Sequence, residues 1–154
     1  MRILLPGRSI GVDMAECFGE SNIPEGVVTV EDPFNDESWD KFTLLTAQNK
    51  YLVIGDDLTT TNPKRIKKAI EQKAINGVVI KPNQIGTISQ AIEAVKVARD
   101  GGLKIVVSHR GEETDDVWIV DFALEVEADY VKFGGMDRGE RVAKYNRLIE
   151  LLPS

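Results

Sequence analysis

Short apolar runs alternate with longer amphipathic segments along most of the chain, and this alternation limits what the chain can fold into. The runs are rich in Val and Ile and lack strict polar alternation, as is typical of strands buried on both faces. They are Val27–Val30, Tyr51–Gly55, Gly77–Ile80, Lys104–Val107 and Tyr130–Phe133. A strand-helix unit that recurs about every 25 residues indicates parallel strands joined by right-handed crossovers.

The segments between the runs carry apolar residues at helical spacing, and we predict that each is a helix with one apolar face. They are Glu37–Gln48, Pro63–Ala74, Thr87–Asp100, Asp115–Glu127 and Gly139–Leu152. Asn62 before Pro63 is typical of a helix start, and Gly101-Gly102 is typical of a helix end.

The beginning of the chain fits this repeat less well. We predict a sixth strand at Ser9–Val12, but Met14–Glu25 holds Gly19 and Pro24 and is a poor helix, so the first unit (1–25) is expected to be abbreviated. The prediction is a single α/β domain over residues 1–154 with five to six parallel units. The residues themselves leave open a doubly wound sheet or part of a barrel. A complete eight-unit barrel has typically about 250 residues, and this chain has 154.

Composition excludes several classes of protein. The net charge of −6 argues against a nucleic-acid binder, which usually shows a basic patch. No apolar run reaches the roughly 20 residues of a membrane span, and no signal peptide is recognisable at the start. The single cysteine, Cys17, cannot form an internal disulfide, so we expect a cytoplasmic protein.

Charged or catalytically competent residues stand at or just after the end of nearly every predicted strand. In chain order they are Asp13, Glu31-Asp32, Asp56-Asp57, Lys81, Ser108-His109-Arg110 and Lys132. Working residues of parallel α/β proteins lie at the carboxyl ends of the strands. We therefore predict a shared mouth at this end of the sheet, where these charges converge.

The acids at these strand ends indicate a metal site. Glu31, Asp56 and Lys81 are spaced 25 residues apart, which places them at equivalent heights on successive strands. Together with Asp13, the two acids would crowd three carboxylates, which repel one another unless a cation neutralises them. Oxygen ligands favour Mg²⁺ over zinc. For Asp32 and Asp57 we favour a structural role, as caps of the loop that follows.

The cationic residues indicate an anionic substrate. Lys81 beside a metal is a candidate general base; the alternative is a structural ion pair with a carboxylate. His109, the only histidine, is either a site residue or a packed side chain. Arg110 is suited to bidentate binding of phosphate or carboxylate, and Lys132 adds a further positive charge. The ensemble fits a small phosphorylated acid.

Several motifs built around these residues resemble the enolase family. They are GVDMAE at 11–16, VEDPF at 30–34, IGDDLTTTNPKRI at 54–66, IKPNQIGT at 80–87, VSHRGEET at 107–114 and VKFGG with RGERVAKYN through 146. The similarity covers about nine tenths of the chain in the family's order. It implies the second half of a TIM-type (β/α) barrel, hence a partial barrel for this chain.

The resemblance also implies roles. Enolases interconvert 2-phosphoglycerate and phosphoenolpyruvate on a two-Mg²⁺ site, and Asp13, Glu31 and Asp56 would hold the first ion. Lys81, His109 and Lys132 are the candidate catalytic residues, with Lys81 as the base that abstracts the proton α to the carboxylate. Arg110, Ser108 and Lys132 are the candidate substrate-binding residues, with Arg110 on the phosphate.

The chain departs from the family pattern in ways that affect activity. Gly111 and Glu112 stand where the family has Ser then Gly, so a phosphate-binding hydroxyl is missing and a carboxylate lies nearby. The capping domain, the first barrel strands and the segment that carries the general acid are not matched. The stretch between GVDMAE and VEDPF is shorter than in the family. We expect weak or no activity from the chain alone, because acid-base catalysis is worth about 10²–10⁴-fold.

Three functions follow from these observations. The first is enolase chemistry, completed by a homo-oligomer or by a separately encoded N-terminal half that covers the exposed sheet edges. The second is a non-catalytic module that binds Mg²⁺ or phosphorylated acids, and the third is a structural or interaction protein. We expect neither nucleic acid nor membrane as a partner.

Overall fold

A computed structural model describes residues 2–3, 9–10, 23 and 26–151 of the chain. The described residues form one sheet of seven parallel strands in the order β1-β7-β6-β5-β4-β3-β2. The strands are β1 Arg2–Ile3, β2 Ser9–Ile10, β3 Thr29–Glu31, β4 Leu52–Gly55, β5 Gly77–Ile80, β6 Lys104–Ser108 and β7 Tyr130–Lys132. The five predicted apolar runs thus correspond to β3 to β7.

The sheet must be curled, because its two end strands are close together in the chain. β1 and β2 lie at opposite ends of the sheet, yet only residues 4–8 join them. The six steps from Ile3 to Ser9 span at most about 22 Å, whereas seven flat strands about 4.8 Å apart would put those ends about 29 Å apart. The sheet is therefore a partial α/β barrel, as the resemblance implied, and not a doubly wound sheet.

Six helices follow the strands in the described part of the chain. They are α1 Trp39–Ala47, α2 Pro63–Glu71, α3 Pro82–Ile85, α4 Ile88–Asp100, α5 Trp118–Glu125 and α6 Gly139–Leu151. Asn62 caps α2 by accepting a hydrogen bond from the Lys64 amide at 2.9 Å. α4 ends at Asp100, Gly101 is its C-cap, and Gly102 follows with a φ of +74°. Both helix boundaries agree with the predicted start and end signals.

The two faces of the sheet carry different apolar layers, because successive side chains of a strand alternate between faces. Val53, Val78 and Ile105 belong to the main core, together with Ile66 of α2 and Ala94 of α4. The residues that follow them form a separate, fully buried cluster of Ile54, Val79 and Val106, against which Leu52 and Tyr130 pack. The helices therefore cover the outer face, and the small cluster lies on the inner face of the curl.

The structure differs from the prediction at the start of the chain and in one loop. β1 was not predicted, and β2 contains Ser9 and Ile10 of the predicted strand Ser9–Val12, whose last two residues lie outside the described part of the chain. β1 and β2 pair with β7 and β3 and form the two ends of the sheet. The short helix α3 was also missed. Apart from Ile23, the predicted poor helix Met14–Glu25 lies outside the described residues.

Candidate functional site

The predicted mouth exists at the carboxyl ends of β3 to β7. Glu31, Ser108 and Lys132 end β3, β6 and β7, and Asp56 and Lys81 directly follow β4 and β5. Asp56, Lys81, Ser108 and Lys132 each lie two positions beyond a member of the inner apolar layer, at Ile54, Val79, Val106 and Tyr130. An even offset keeps a side chain on the same face. These polar side chains therefore stand on the inner face, directly above that layer.

The strand registers correct one step of the spacing argument. Glu31 is opposite Ile54 rather than Asp56, so the acids on β3 and β4 are staggered by two positions instead of level. Lys132 is opposite Ser108, and Lys81 comes one position after the pair Ile80–Val107. The residues at one level are thus Lys81, Ser108 and Lys132. The stagger of two preserves the face, so Glu31, Asp56 and Lys81 share the inner face although they do not lie at one level.

Two carboxylates and two ammonium groups meet in this mouth. Lys81 Nζ lies 2.5 Å from Asp56 Oδ2, and Lys132 Nζ lies 2.5 Å from Glu31 Oε1 and 3.7 Å from Asp56 Oδ2. The side chains of Asp56 and Lys81 are only 10% and 14% exposed, so the pair is shielded from water. The structural ion pair that was the alternative reading of Lys81 is therefore present, and the catalytic role of Lys81 stays a prediction.

One buried carboxylate oxygen in the mouth has no hydrogen-bond partner. Asp56 Oδ1 is buried and accepts no hydrogen bond, although its partner oxygen Oδ2 is paired with Lys81. A buried anionic oxygen without a partner is costly and indicates an absent ligand. Glu31 and Asp56 offer the oxygen donors that Mg²⁺ prefers. Among the described residues no three acidic, His or Cys side chains form a metal site, and the predicted third acid, Asp13, lies outside them.

Asp32 does not cap the loop that follows its own strand. It is 3% exposed, and its carboxylate accepts hydrogen bonds from the backbone amides of Asp56 and Asp57, at 3.0 and 2.5 Å. It therefore fixes the exit of the neighbouring strand β4, where Asp56 sits. Burial raises the pKa of Asp32 from 3.8 to about 6, although the two amide hydrogen bonds act in the opposite direction. Asp57, by contrast, is exposed.

A strained loop holds the backbone of Lys81. Thr60 and Thr61 have positive φ angles of 49° and 56°, which β-branched residues rarely adopt. The Lys81 amide donates to Thr61 Oγ1 at 2.9 Å, and that hydroxyl donates to Gln84 Oε1 at 3.1 Å. Such strain persists only where the surroundings impose it, and it concentrates at functional sites. The threonine run of IGDDLTTTNPKRI was visible in the sequence, but its contact with Lys81 was not.

His109 and Arg110 directly follow Ser108, the last residue of β6. The His109 amide donates to Lys132 O at 3.0 Å, and its Nδ1 is buried without a hydrogen-bond partner. Desolvation, followed by the charges of Arg141, Lys144 and Lys132, lowers the pKa of His109, whereas Glu113 opposes the shift. Arg110 lines an open pocket of about 480 Å³ with Asn83, Gly111 and Glu112. Both positions that depart from the family pattern therefore line the pocket of the predicted phosphate-binding arginine.

Ser108 has a different immediate partner. Its side chain is buried, and its hydroxyl donates to His109 O at 2.9 Å. Glu113 and Lys144 were not singled out in the sequence, yet they contact the turn that carries Arg110. Nothing in the local pattern relates these two residues, because they come from a loop and from a helix further along the chain.

The partial barrel with a charged mouth matches one protein family. Residues 11–152 match the family described as "Enolase, C-terminal TIM barrel domain". The chain belongs to the enolase family, as its motifs had indicated. No described helix is long and apolar enough to cross a membrane.

Curated relatives show the same family and the extent of the match. The chain is 46% identical over 123 residues to the enolase of Sulfurisphaera tokodaii. It is 48% identical over 126 residues to that of Saccharolobus islandicus and 49% identical over 139 residues to that of Mycoplasma mobile. These alignments cover 79%, 81% and 89% of this chain, but 30% of each relative. The aligned part of the chain thus spans about 30% of the length of each of these relatives.

Proposed function

We propose that this chain supplies the metal-binding and base-bearing part of an enolase-type site for interconversion of 2-phosphoglycerate and phosphoenolpyruvate, with weak or no activity alone. The observation that carries the proposal is the shared mouth of Glu31, Asp56, Lys81 and Lys132, in which one buried carboxylate oxygen lacks a partner. Membership of the enolase family supports the choice of reaction.

Glu31 and Asp56 would hold Mg²⁺, with Asp13 as the third ligand by the resemblance. The ion supplies electrostatic stabilisation for the negative charge that develops on the substrate carboxylate. Lys81 takes the proton α to that carboxylate, and Lys132, whose ammonium already contacts Glu31 and approaches Asp56, adds positive charge on the same side. Asp32 keeps Asp56 in place through the amide hydrogen bonds at the end of β4.

Arg110 would bind the phosphate. Its side chain is exposed and makes no ion pair or hydrogen bond with the rest of the described chain, so its donors are available. His109 precedes Arg110 in the chain, lies close enough to Arg141, Lys144 and Lys132 for their charges to lower its pKa, and would line the substrate pocket. The carboxylates would therefore bind the metal, and the cationic side chains would bind the anionic groups of the substrate.

A non-catalytic binding module is the second candidate, and one observation favours it. Glu112 lines the same pocket as Arg110, in a place where the family has glycine, and Gly111 replaces the phosphate-binding serine. A carboxylate near a bound phosphate repels it unless a cation lies between them. This change would weaken turnover while leaving the metal ligands of the mouth intact.

The chain also requires a complement under this proposal. It aligns with only 30% of its relatives, and a full barrel of this class has eight strand-helix units. The missing units would come from a separately encoded N-terminal half or from a second copy of the chain. A reducing cytoplasm is the proposed location, because the single Cys17 has no internal partner.

A coupled assay of phosphoenolpyruvate formation with Mg²⁺ tests the proposal, using the chain alone and the chain mixed with the N-terminal part of a related enolase. Turnover should fall by about 10²–10⁴-fold in Lys81→Ala and stay unchanged in Lys96→Ala, which alters an exposed lysine on α4. Mg²⁺ should raise the melting temperature of the wild type but not of Asp56→Asn. A Mg²⁺ effect without turnover in either sample supports the binding module. The absence of both turnover and a Mg²⁺ effect on the melting temperature would refute both functions.

A further inference from the structure

A fully buried lysine lies behind the turn that carries Arg110. Lys144 of α6 has a side-chain exposure of 0%. Its ammonium is 3.1 Å from Glu113 Oε2 and donates to the carbonyl oxygens of Thr114 and Glu140, each at 3.0 Å. The ammonium thus makes two hydrogen bonds and one ion pair. A buried charge is tolerated only with such pairing, so the arrangement tolerates little displacement.

Glu113 joins this lysine to Arg110. Its Oε1 accepts a hydrogen bond from the Arg110 amide at 2.8 Å, while Oε2 faces Lys144. The Glu113 side chain is 13% exposed, so water competes weakly for these bonds. The turn 110–114 is thus attached to α6 at two places: through Glu113 to the Arg110 amide, and directly at the Thr114 carbonyl.

We propose that Glu113 and Lys144 are positioning residues, whose buried pair fixes turn 110–114 so that Arg110 and His109 face the mouth. The inference rests on the proposed function, because it assigns Arg110 the role of binding the substrate's phosphate. The side chain of Arg110 has no partner among the described residues, so its direction depends on the placement of its backbone. A guanidinium binds phosphate well only in a bidentate geometry, which makes backbone placement important.

The single histidine gives a direct measure of this arrangement. His109 is the only histidine in the chain, so its imidazole titration by NMR is one resolved signal. Glu113 raises its pKa, whereas Lys144, Arg141 and Lys132 lower it. Replacing Glu113 with Gln should lower the pKa of His109 further, and replacing Lys144 with Met should raise it. Opposite shifts are expected only if both charges remain close to the imidazole in solution.

The test compares Glu113→Leu, Lys144→Met and the double variant with Arg147→Met, which breaks an exposed ion pair on the same helix. Leucine is used at 113 because it removes the acceptor of the Arg110 amide, which glutamine would keep. Each single variant leaves a buried group without its partner and should lower the melting temperature. The double variant removes both charges and should recover part of that loss. Its affinity for 2-phosphoglycerate or inorganic phosphate, measured by calorimetry with Mg²⁺, should stay about tenfold or more below the wild type, because Arg110 remains misplaced.

Amide hydrogen exchange at Arg110 separates failure of this inference from failure of the proposed function. Rapid exchange of that amide in the double variant, but not in Arg147→Met, supports the positioning role even if the wild type binds no phosphorylated acid. If the wild type binds no phosphorylated acid, the phosphate-binding role of Arg110 and the proposed function are refuted, whatever the exchange result. Wild-type affinity and wild-type exchange in the stable double variant would overturn the positioning role.

Discussion

Asp32 should make the folded protein less stable as the pH rises from about 4 to about 6. Burial raises its folded-state pKa from 3.8 to about 6, so the folded state holds this proton more tightly than the unfolded chain does. The stabilisation from this group is complete below the unfolded pKa and is lost as the pH rises through the folded one. A shift of about 2 pKa units corresponds to about 3 kcal/mol of unfolding free energy.

Asp32→Asn removes the titrating carboxyl group and nearly preserves the shape of the side chain. The asparagine places one N–H group where Asp32 accepts from the amides of Asp56 and Asp57, so a pH-independent loss of about 1–3 kcal/mol is expected as well. The informative quantity is therefore the slope of stability against pH, not its absolute value. Wild type should lose up to about 3 kcal/mol more than Asp32→Asn between pH 4 and pH 7.

Urea unfolding followed by tryptophan fluorescence measures this difference, because Trp39 is 6% exposed and should become solvated on unfolding. The control is Asp36→Asn, an exposed acid four residues further along the chain. Its pH profile should follow that of the wild type. Parallel profiles for wild type and Asp32→Asn across this pH range would show that the buried carboxylate is not destabilised by its surroundings, and the reasoning would fail.

Two further predictions concern the loops that hold the site. Gly134→Ala should destabilise the fold by about 2 kcal/mol or more, since Gly134 has a φ of +78° and an added Cβ would lie 2.8 Å from Arg141 Cδ. The control in the same urea assay is Gly111→Ala, because nothing lies within 4 Å of a Cβ added there. Asn62→Ala should cost about 1 kcal/mol by removing the cap of α2. In circular dichroism melts, unchanged midpoints for Gly134→Ala and Asn62→Ala would contradict the structural reasons given.

Strands β3 to β7 were predictable because each is an apolar run bounded by a polar exit, a pattern that burial on both faces imposes. β1 was not predictable, because two residues carry no periodicity and owe their conformation to pairing with Tyr130 and Val131. Short edge strands are set by tertiary contacts, which a local pattern does not contain.

In the site, the sequence indicated which residues meet but not how they are arranged. The constant spacing of Glu31, Asp56 and Lys81 suggested one level, while the registers stagger neighbouring strands by two positions. The role of Asp32 was misassigned because its partners are amides on the next strand. The Glu113–Lys144 pair joins residues 31 positions apart, and sequence spacing alone cannot show that both are buried together.

The short link between β1 and β2 limits what can complete the barrel. The opening between the two end strands is no wider than the stretched length of residues 3–9, about 22 Å, a width spanned by about three more strands at 4.8 Å spacing. Another intact copy of this seven-stranded sheet is too large to enter there without displacing one of the end strands. A small complement of a few strands suits the opening better, so the stoichiometry of any reconstituted complex would also report whether β1 and β2 keep their places.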